Sequence, residues 1–224
     1  MNKNIFVACD VSSHKEILEL LSKIHEEISG IKIGLQYITN HSPQEIRELS
    51  KFNKPIFYDG KFFDIKNTLI ESIKSLKNLK IDYATVHLLN GSDALSAANE
   101  IAKKIGIKLL GVSVLTSFDD KELEQLGFKD QVSEQVLRLI KIADEANLYG
   151  VVCSPLETKL IKKVAPNLKC FTPGIRQSND KNDQKRTMNA KEALEAGSDC
   201  LIIGRPIIEG DPQKNIQEIL SSLN

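Results

Sequence analysis

The sequence predicts an α/β fold of the (β/α)8, or TIM, barrel type, and three observations carry that prediction. Short β-rich runs alternate with longer helical patterns along all 224 residues. Eight such runs can be read, most of them near-continuous apolar stretches, as parallel strands buried on both faces should be. Polar residues then recur at or just past the C-terminal ends of these runs, where barrel strands converge on one mouth. A doubly wound open sheet is the competing arrangement, and the strand count and polar strand ends favour the barrel. No linker rich in Pro, Gly or Ser interrupts the alternation, so residues 1–224 read as one barrel domain.

The first strand is expected over residues 5–11. Ser12 and Ser13 follow as caps for a helix whose apolar stripe is Ile17, Leu20, Leu21, Ile24 and Ile28, closed by Gly30. Strands two to four are expected over 31–35, 55–59 and 83–88. Strands five to eight are expected over 108–115, 150–154, 169–172 and 200–204. Val132, Val136, Leu139, Ile140 and Ala143 mark a further helix, and Pro212 opens the last one, with Ile216, Ile219 and Leu220 on its apolar side. The polar residues at the strand ends are Asp10, Lys32, Asp59, His87, Thr116, Ser154 and Arg205.

Composition excludes several classes of function. Thirty Lys and Arg balance thirty Asp and Glu, and 41% of residues are hydrophobic. Such a chain is too apolar and too balanced for disorder, and it lacks the basic excess of a general nucleic-acid or membrane-surface binder. Aromatics are few (5%) and not interleaved with a basic patch, so stacking on nucleic acid has no support. The N-terminal MNKNIFVACD has too short an apolar run for a signal peptide, and no stretch approaches membrane-spanning length. Cys9, Cys153, Cys170 and Cys200 form no C-x-x-C pair and sit in apolar runs, reading as buried thiols of a cytoplasmic protein.

The most informative segment is residues 58–68, YDGKFFDIKNT. Asp59 and Lys61, two apart at a strand end, should leave on the same face. Asp64 and Thr68, four apart, open the next helix, and Asp64 alone could be no more than an N-cap. A lone Asp-x-Lys is weak, but D-x-K-x-x-D-I-x-x-T at the end of a third strand is specific.

At these residues the chain resembles the orotidine 5'-phosphate decarboxylase family, whose members are compact (β/α)8 barrels, normally homodimers, that work without a cofactor or metal. The resemblance covers nearly the whole chain. It implies that Asp10 binds the ribose hydroxyls and that Lys32, in IKIG, is the family lysine. Asp59, Lys61 and Asp64 match the central charged motif, with Ile65 and Thr68 in place. Thr116, in VSVLTS, matches the pyrimidine contact. TPGIR with Arg176, the DQKR run with Gln184, and IIGRP with Gly204 and Arg205 match the phosphate-side loops. The polar stretch 177–183 reads as a closing lid between them. Asp64 and Thr68 are implied to enter the neighbouring subunit's site.

Three positions depart from the family pattern. Lys66 stands where proline or a small residue is usual, Phe63 where histidine is common, and Gly60 replaces an apolar residue. Gly60 is expected to loosen the motif, and Lys66 to place a charge unfavourably at a helix N-terminus.

The implied reaction turns orotidine 5'-monophosphate into UMP. Loss of carbon dioxide from C6 leaves a carbanion in the ring plane, which needs a fixed cation that can also deliver a proton. Lys61 takes that role, held charged by Asp59, with Lys32 balancing the carboxylates. One charge pair at about 4 Å supplies roughly 4 kcal/mol at an effective dielectric of 20, whereas enzymatic accelerations require about 8–23 kcal/mol. Binding energy from the remote phosphate must supply much of the difference.

Two other readings compete. A magnesium-dependent sugar-phosphate lyase of a related barrel (hexulose-phosphate synthase or keto-gulonate-phosphate decarboxylase) shares the Asp-x-Lys-x-x-Asp core but lacks TPGIR and the glutamine-bearing lid. A non-catalytic nucleotide-binding barrel would not need the intact charged motif. His87 is expected to be a satisfied mouth or core histidine, and His14, His25 and His41 to face solvent.

Overall fold

Eight parallel strands close into a barrel in sequence order, β1 to β8, with β8 pairing back onto β1, in a computed structural model that describes residues 4–176 and 186–223. The first half runs β1 (Ile5–Ala8), α1 (His14–Ile24), β2 (Gly30–Ile33), α2 (Leu35–Asn40), α3 (Pro43–Glu48), β3 (Ile56–Phe62), α4 (Lys66–Ser75), β4 (Tyr83–His87) and α5 (Ser92–Lys104). The second half runs β5 (Lys108–Val112), α6 (Asp120–Gln125), α7 (Val132–Glu145), β6 (Gly150–Val152), α8 (Thr158–Val164), β7 (Lys169–Thr172), α9 (Ala190–Glu195), β8 (Cys200–Ile203), α10 (Arg205–Ile208) and α11 (Pro212–Ser222).

All eight expected strands are present, and most stop short of the apolar run that signalled them. β1 ends at Ala8 rather than residue 11, β2 at Ile33 rather than 35, and β5 at Val112 rather than 115. The trailing apolar residues do not join the ladder: Val114 is buried in the loop after β5, and Leu35 already begins α2. Gly30 does not close the first helix. That helix ends at Ile24, a 3-10 turn follows over His25–Glu27, and Gly30 is the first residue of β2.

β3 departs in the other direction. It runs to Phe62 across a register shift in which the four-residue step from Tyr58 to Phe62 faces only the step from Ala84 to Val86 on β4. Asp59, Gly60 and Lys61 therefore form a bulge, a device that re-aims side chains beside active sites.

Alternation along the strands divides the core. Outward residues such as Ile5, Val7, Ile31, Ile33, Ala84 and Val86 pack against the buried faces of the helices. Ser13 caps α1 in a reciprocal box with Glu16, and Ile17, Leu20, Leu21 and Ile24 bury the stripe read from the sequence. Inward residues fill the barrel from below. Phe6, Phe57, Tyr83 and Phe171 meet edge-on or tilted with ring centroids 5.4–6.3 Å apart. This aromatic plug closes the N-terminal end, so polar groups one layer higher face a mouth rather than a pore. The four cysteines are free thiols and buried. Among the described residues, no helix is long and apolar enough to cross a membrane.

Candidate active site

A cavity of about 550 Å³ opens at the C-terminal end of the barrel. Of the residues singled out from the sequence, Asp10, Lys32, Asp59, Lys61, Thr116, Arg176, Gly204 and Arg205 line it. They come from the ends of six strands or the loops just after them, which is why no contiguous segment holds the site.

Its floor is a charged chain. Lys61 Nζ lies 2.8 Å from Asp59 Oδ2, Lys32 Nζ lies 3.7 Å from the same oxygen, and Lys32 also donates to Asp10 Oδ1 at 3.2 Å. Asp59 and Lys32 are buried, at 8% and 7% exposure, while Asp10 opens to solvent. Burial by itself would raise the Asp59 pKa. The Lys32 and Lys61 ammonium groups, with hydrogen bonds from Lys61 and Thr85, outweigh it and hold the carboxyl below its ordinary value.

Thr85 is the residue that sequence reasoning missed. Its hydroxyl donates to Asp59 Oδ1 at 2.9 Å and accepts the Lys61 backbone N–H at 2.8 Å. Lys61 has φ 49°, a left-handed conformation unusual for a residue with a side chain, and the Thr85 hydrogen bond helps pin it there. Strand alternation alone would put Asp59 and Lys61 on one face of a regular strand. The pair does form, but through the bulge.

Two glycines make room at the site. A Cβ on Gly34 would fall 2.9 Å from Asp10 Oδ1 and 3.1 Å from Lys32 Nζ, so the IKIG glycine leaves space for that ion pair. A Cβ on Gly60 would fall 2.8 Å from the Tyr58 ring, which stacks on Phe62. Gly60 thus accommodates an aromatic neighbour in the bulge, which the expectation of simple looseness did not contain.

Asp64, Ile65 and Thr68 are exposed and outside the cavity of their own chain. Asp64 is not an N-cap: Ile65 holds that position, and Asp64 Oδ1 accepts the adjacent Ile65 N–H. Lys66 reaches across to Asp93 at 2.8 Å, on the first turn of α5, so its charge is answered from the neighbouring helix. Gln184 and the stretch 177–183 lie outside the described residues.

The histidines differ from expectation. His14 is only 16% exposed in its side chain, bonded through Nδ1 to the Tyr37 hydroxyl at 2.6 Å and through Nε2 to Glu48 at 3.0 Å. His25 and His41 are also half-buried, each bonded to a backbone carbonyl one turn back. Helical position alone did not reveal the grooves that receive them. His87 lines a separate apolar pocket beside the cavity and accepts the Leu89 N–H. Burial, then the nearby Lys61 charge, lowers its pKa. Ser154 is buried, and its hydroxyl accepts the Leu156 N–H.

A charged floor of this composition, on a closed eight-stranded barrel, can be set against known proteins. A model of the Orotidine 5'-phosphate decarboxylase / HUMPS family matches residues 3–219. The chain belongs to that family. Orotidine 5'-phosphate decarboxylase of Wolbachia pipientis subsp. Culex pipiens is 37% identical over 221 residues, covering 98% of each chain. That of Ehrlichia canis is 38% identical over 222 residues, covering 98% of this chain and 97% of its own. The crystal structure of orotidine 5'-phosphate decarboxylase from Lactobacillus acidophilus matches with a TM-score of 0.85 at 32% identity, covering 98% of both chains.

Proposed function

We propose that this member of the orotidine 5'-phosphate decarboxylase family converts orotidine 5'-monophosphate to UMP and carbon dioxide, the closing step of UMP synthesis, as a cytoplasmic homodimer. The observation that carries the chemistry is the 2.8 Å Lys61–Asp59 pair on the cavity floor, with Lys32 3.7 Å from the same carboxylate oxygen. Asp59, kept ionised, holds the Lys61 ammonium in place beside C6 of the pyrimidine. The C6–carboxylate bond breaks, its electron pair stays on C6 opposite that cation, and carbon dioxide departs. Lys61 then gives a proton to C6, forming UMP, and regains one from water.

The remaining groups bind. Asp10, open to the mouth and anchored by Lys32, takes the ribose hydroxyls. Thr116 contacts the pyrimidine, and Arg176, Gln184, Gly204 and Arg205 take the phosphate, with guanidinium forks suited to its oxygens. Asp64, Ile65 and Thr68 serve the neighbouring subunit's site. Support for that exchange is an exposed apolar face beside them: Phe63 and Ile65 are 63% and 74% exposed, with Leu35 and Leu89 also open. A neutral overall charge and a cavity of small-molecule size favour a nucleotide over a nucleic acid or a membrane as partner.

The chemistry uses no cofactor. The sugar-phosphate lyase reading requires a divalent cation among the carboxylates, whereas here the Lys32 ammonium already bridges Asp10 and Asp59. The test follows loss of orotidylate absorbance with and without EDTA, beside Lys61→Ala. Turnover should be indifferent to EDTA and fall by about 10²–10⁴-fold or more in the variant. Chelator-sensitive turnover, or an unchanged variant, would sink the mechanism. Absence of turnover in the unaltered protein would favour a binding-only barrel.

A further inference from the structure

Arg186 ends the DQKR run and has no part in the chemistry above, yet both terminal nitrogens of its guanidinium are engaged. Its Nη1 pairs with Glu157 Oε1, and its Nη2 donates to the carbonyls of Val114 at 3.1 Å and Leu115 at 2.8 Å. The guanidinium is 12% exposed and its carboxylate partner 7%. Glu157 also accepts the Ser154 N–H at 3.0 Å, and the Ser154 hydroxyl donates to the Arg186 carbonyl at 3.4 Å. Two residues on, Met188 pairs with Ile175 as an isolated bridge. Its carbonyl accepts the Arg176 N–H at 3.0 Å, and its N–H donates to the Gly174 carbonyl at 3.2 Å.

The Arg186 side chain, itself in the loop after β7, thus ties that loop to two others at the mouth. Val114 and Leu115 lie in the loop after β5 and lead directly into Thr116. Ser154 and Glu157 follow β6, and Gly174 to Arg176 follow β7. Five hydrogen-bonding N–H groups in a planar fork suit this duty, since one cation must satisfy a carboxylate and two carbonyls at once. A lysine has the charge, but its three donors share one nitrogen and do not reproduce the spread of the fork.

We propose that Arg186 is a positioning residue that locks the loops after β5, β6 and β7 into one wall, so that Thr116 and Arg176 meet the two ends of the substrate in fixed register. The proposal rests on the reading of Thr116 as a substrate contact. Misplacement of such a contact by about 1 Å lowers the rate by up to roughly 10²-fold.

The experiment compares Arg186→Lys with Glu157→Gln, each also combined with Thr116→Ala, measuring kcat and KM for orotidine 5'-monophosphate and thermal unfolding. Arg186→Lys keeps a cation beside the buried carboxylate, so it should unfold near the parent temperature while kcat/KM falls by about tenfold or more. Glu157→Gln keeps the guanidinium on its two carbonyls. It should lower the unfolding temperature while kcat/KM stays within about threefold. In the Thr116→Ala background the Arg186→Lys loss should be several-fold smaller than in the parent, because one of the two groups it positions is gone. Activity that tracks stability across both variants, or losses that multiply in the double variant, would overturn the proposal. A silent Thr116→Ala removes only the base-contact reading, and a silent Arg186→Lys then still decides against Arg186. Should Arg186→Lys fail to fold, Glu157→Gln decides by itself, and a tenfold loss of kcat/KM there counts against positioning.

Discussion

Asp59 holds two lysines and a threonine on two carboxylate oxygens: Lys61 and Lys32 on Oδ2, Thr85 on Oδ1. Its lowered pKa has a definite consequence for stability. The folded protein favours the ionised form more than the unfolded chain does. The contribution is therefore complete above an aspartate's ordinary value of 3.8 and disappears as pH falls through the lower folded value. Urea unfolding of the parent and Asp59→Asn should show a stability gap that is constant above about pH 5 and narrows in acid. A gap that widens in acid contradicts the assignment. Thr85→Val keeps the shape and removes the hydroxyl, leaving the Lys61 N–H without that acceptor and Asp59 short of a donor. We expect a loss of about 1–3 kcal/mol in urea unfolding together with a lower kcat. Unchanged kcat would mean that Thr85 does not set the Lys61 position. Asp59 and Lys61 were legible because charged residues in an apolar run are conspicuous. Thr85 was not, since a β-branched residue inside a strand is what β-propensity alone supplies. Only pairing with β3 shows that its hydroxyl matters.

At the scale of an element, β3 shows where periodicity helps and where it stops. An apolar run and a following charged pair were enough to locate the strand, and its continuation to Phe62 was hidden because a bulge breaks the period-two pattern. Gly60 sits at the break. A methyl group there meets the Tyr58 ring at 2.8 Å, and that ring is held against Phe62, with centroids 5.8 Å apart and planes 5° from parallel. Gly60→Ala should therefore displace Tyr58 and twist the bulge that carries Lys61. The expected loss is about 1–3 kcal/mol of stability, as for other overpacked sites, with kcat reduced more than KM is raised. Steady-state kinetics and urea unfolding on the same preparation would check this. A more stable Gly60→Ala with full activity would show that the ring moves aside without consequence. The opposite error, strands read too long, has a related origin. Loops at the mouth of a barrel carry buried apolar residues such as Val114, and hydrophobicity alone cannot tell a packed loop from a ladder.

For the whole molecule, the place of the motif's second half and an apolar flank point the same way. Asp64 and Thr68 lie outside their own cavity, while Phe63 and Ile65, one and three positions past the bulge strand's end, present apolar surface to solvent. The motif spacing could be read from sequence, but no single-chain pattern states which subunit a side chain serves, because that depends on a symmetry operation. A two-fold dimer that places Asp64 of one subunit in the site of the other makes a quantitative forecast. Lys61→Ala and Asp64→Asn should each be nearly inactive alone. Unfolded together in equal amounts and refolded, they give half mixed dimers. In each of these, one site receives both defects and the other receives an intact Lys61 and an intact Asp64. Activity should return to about one quarter of the parent value per site. If each subunit used its own Asp64, every site in every mixed dimer would lack one group, and mixing would restore nothing. Ile65→Asp supplies the physical control, because a charge on that flank should shift the protein towards monomer in sedimentation and remove activity in proportion. A fully active monomer would place the whole catalytic apparatus within one barrel.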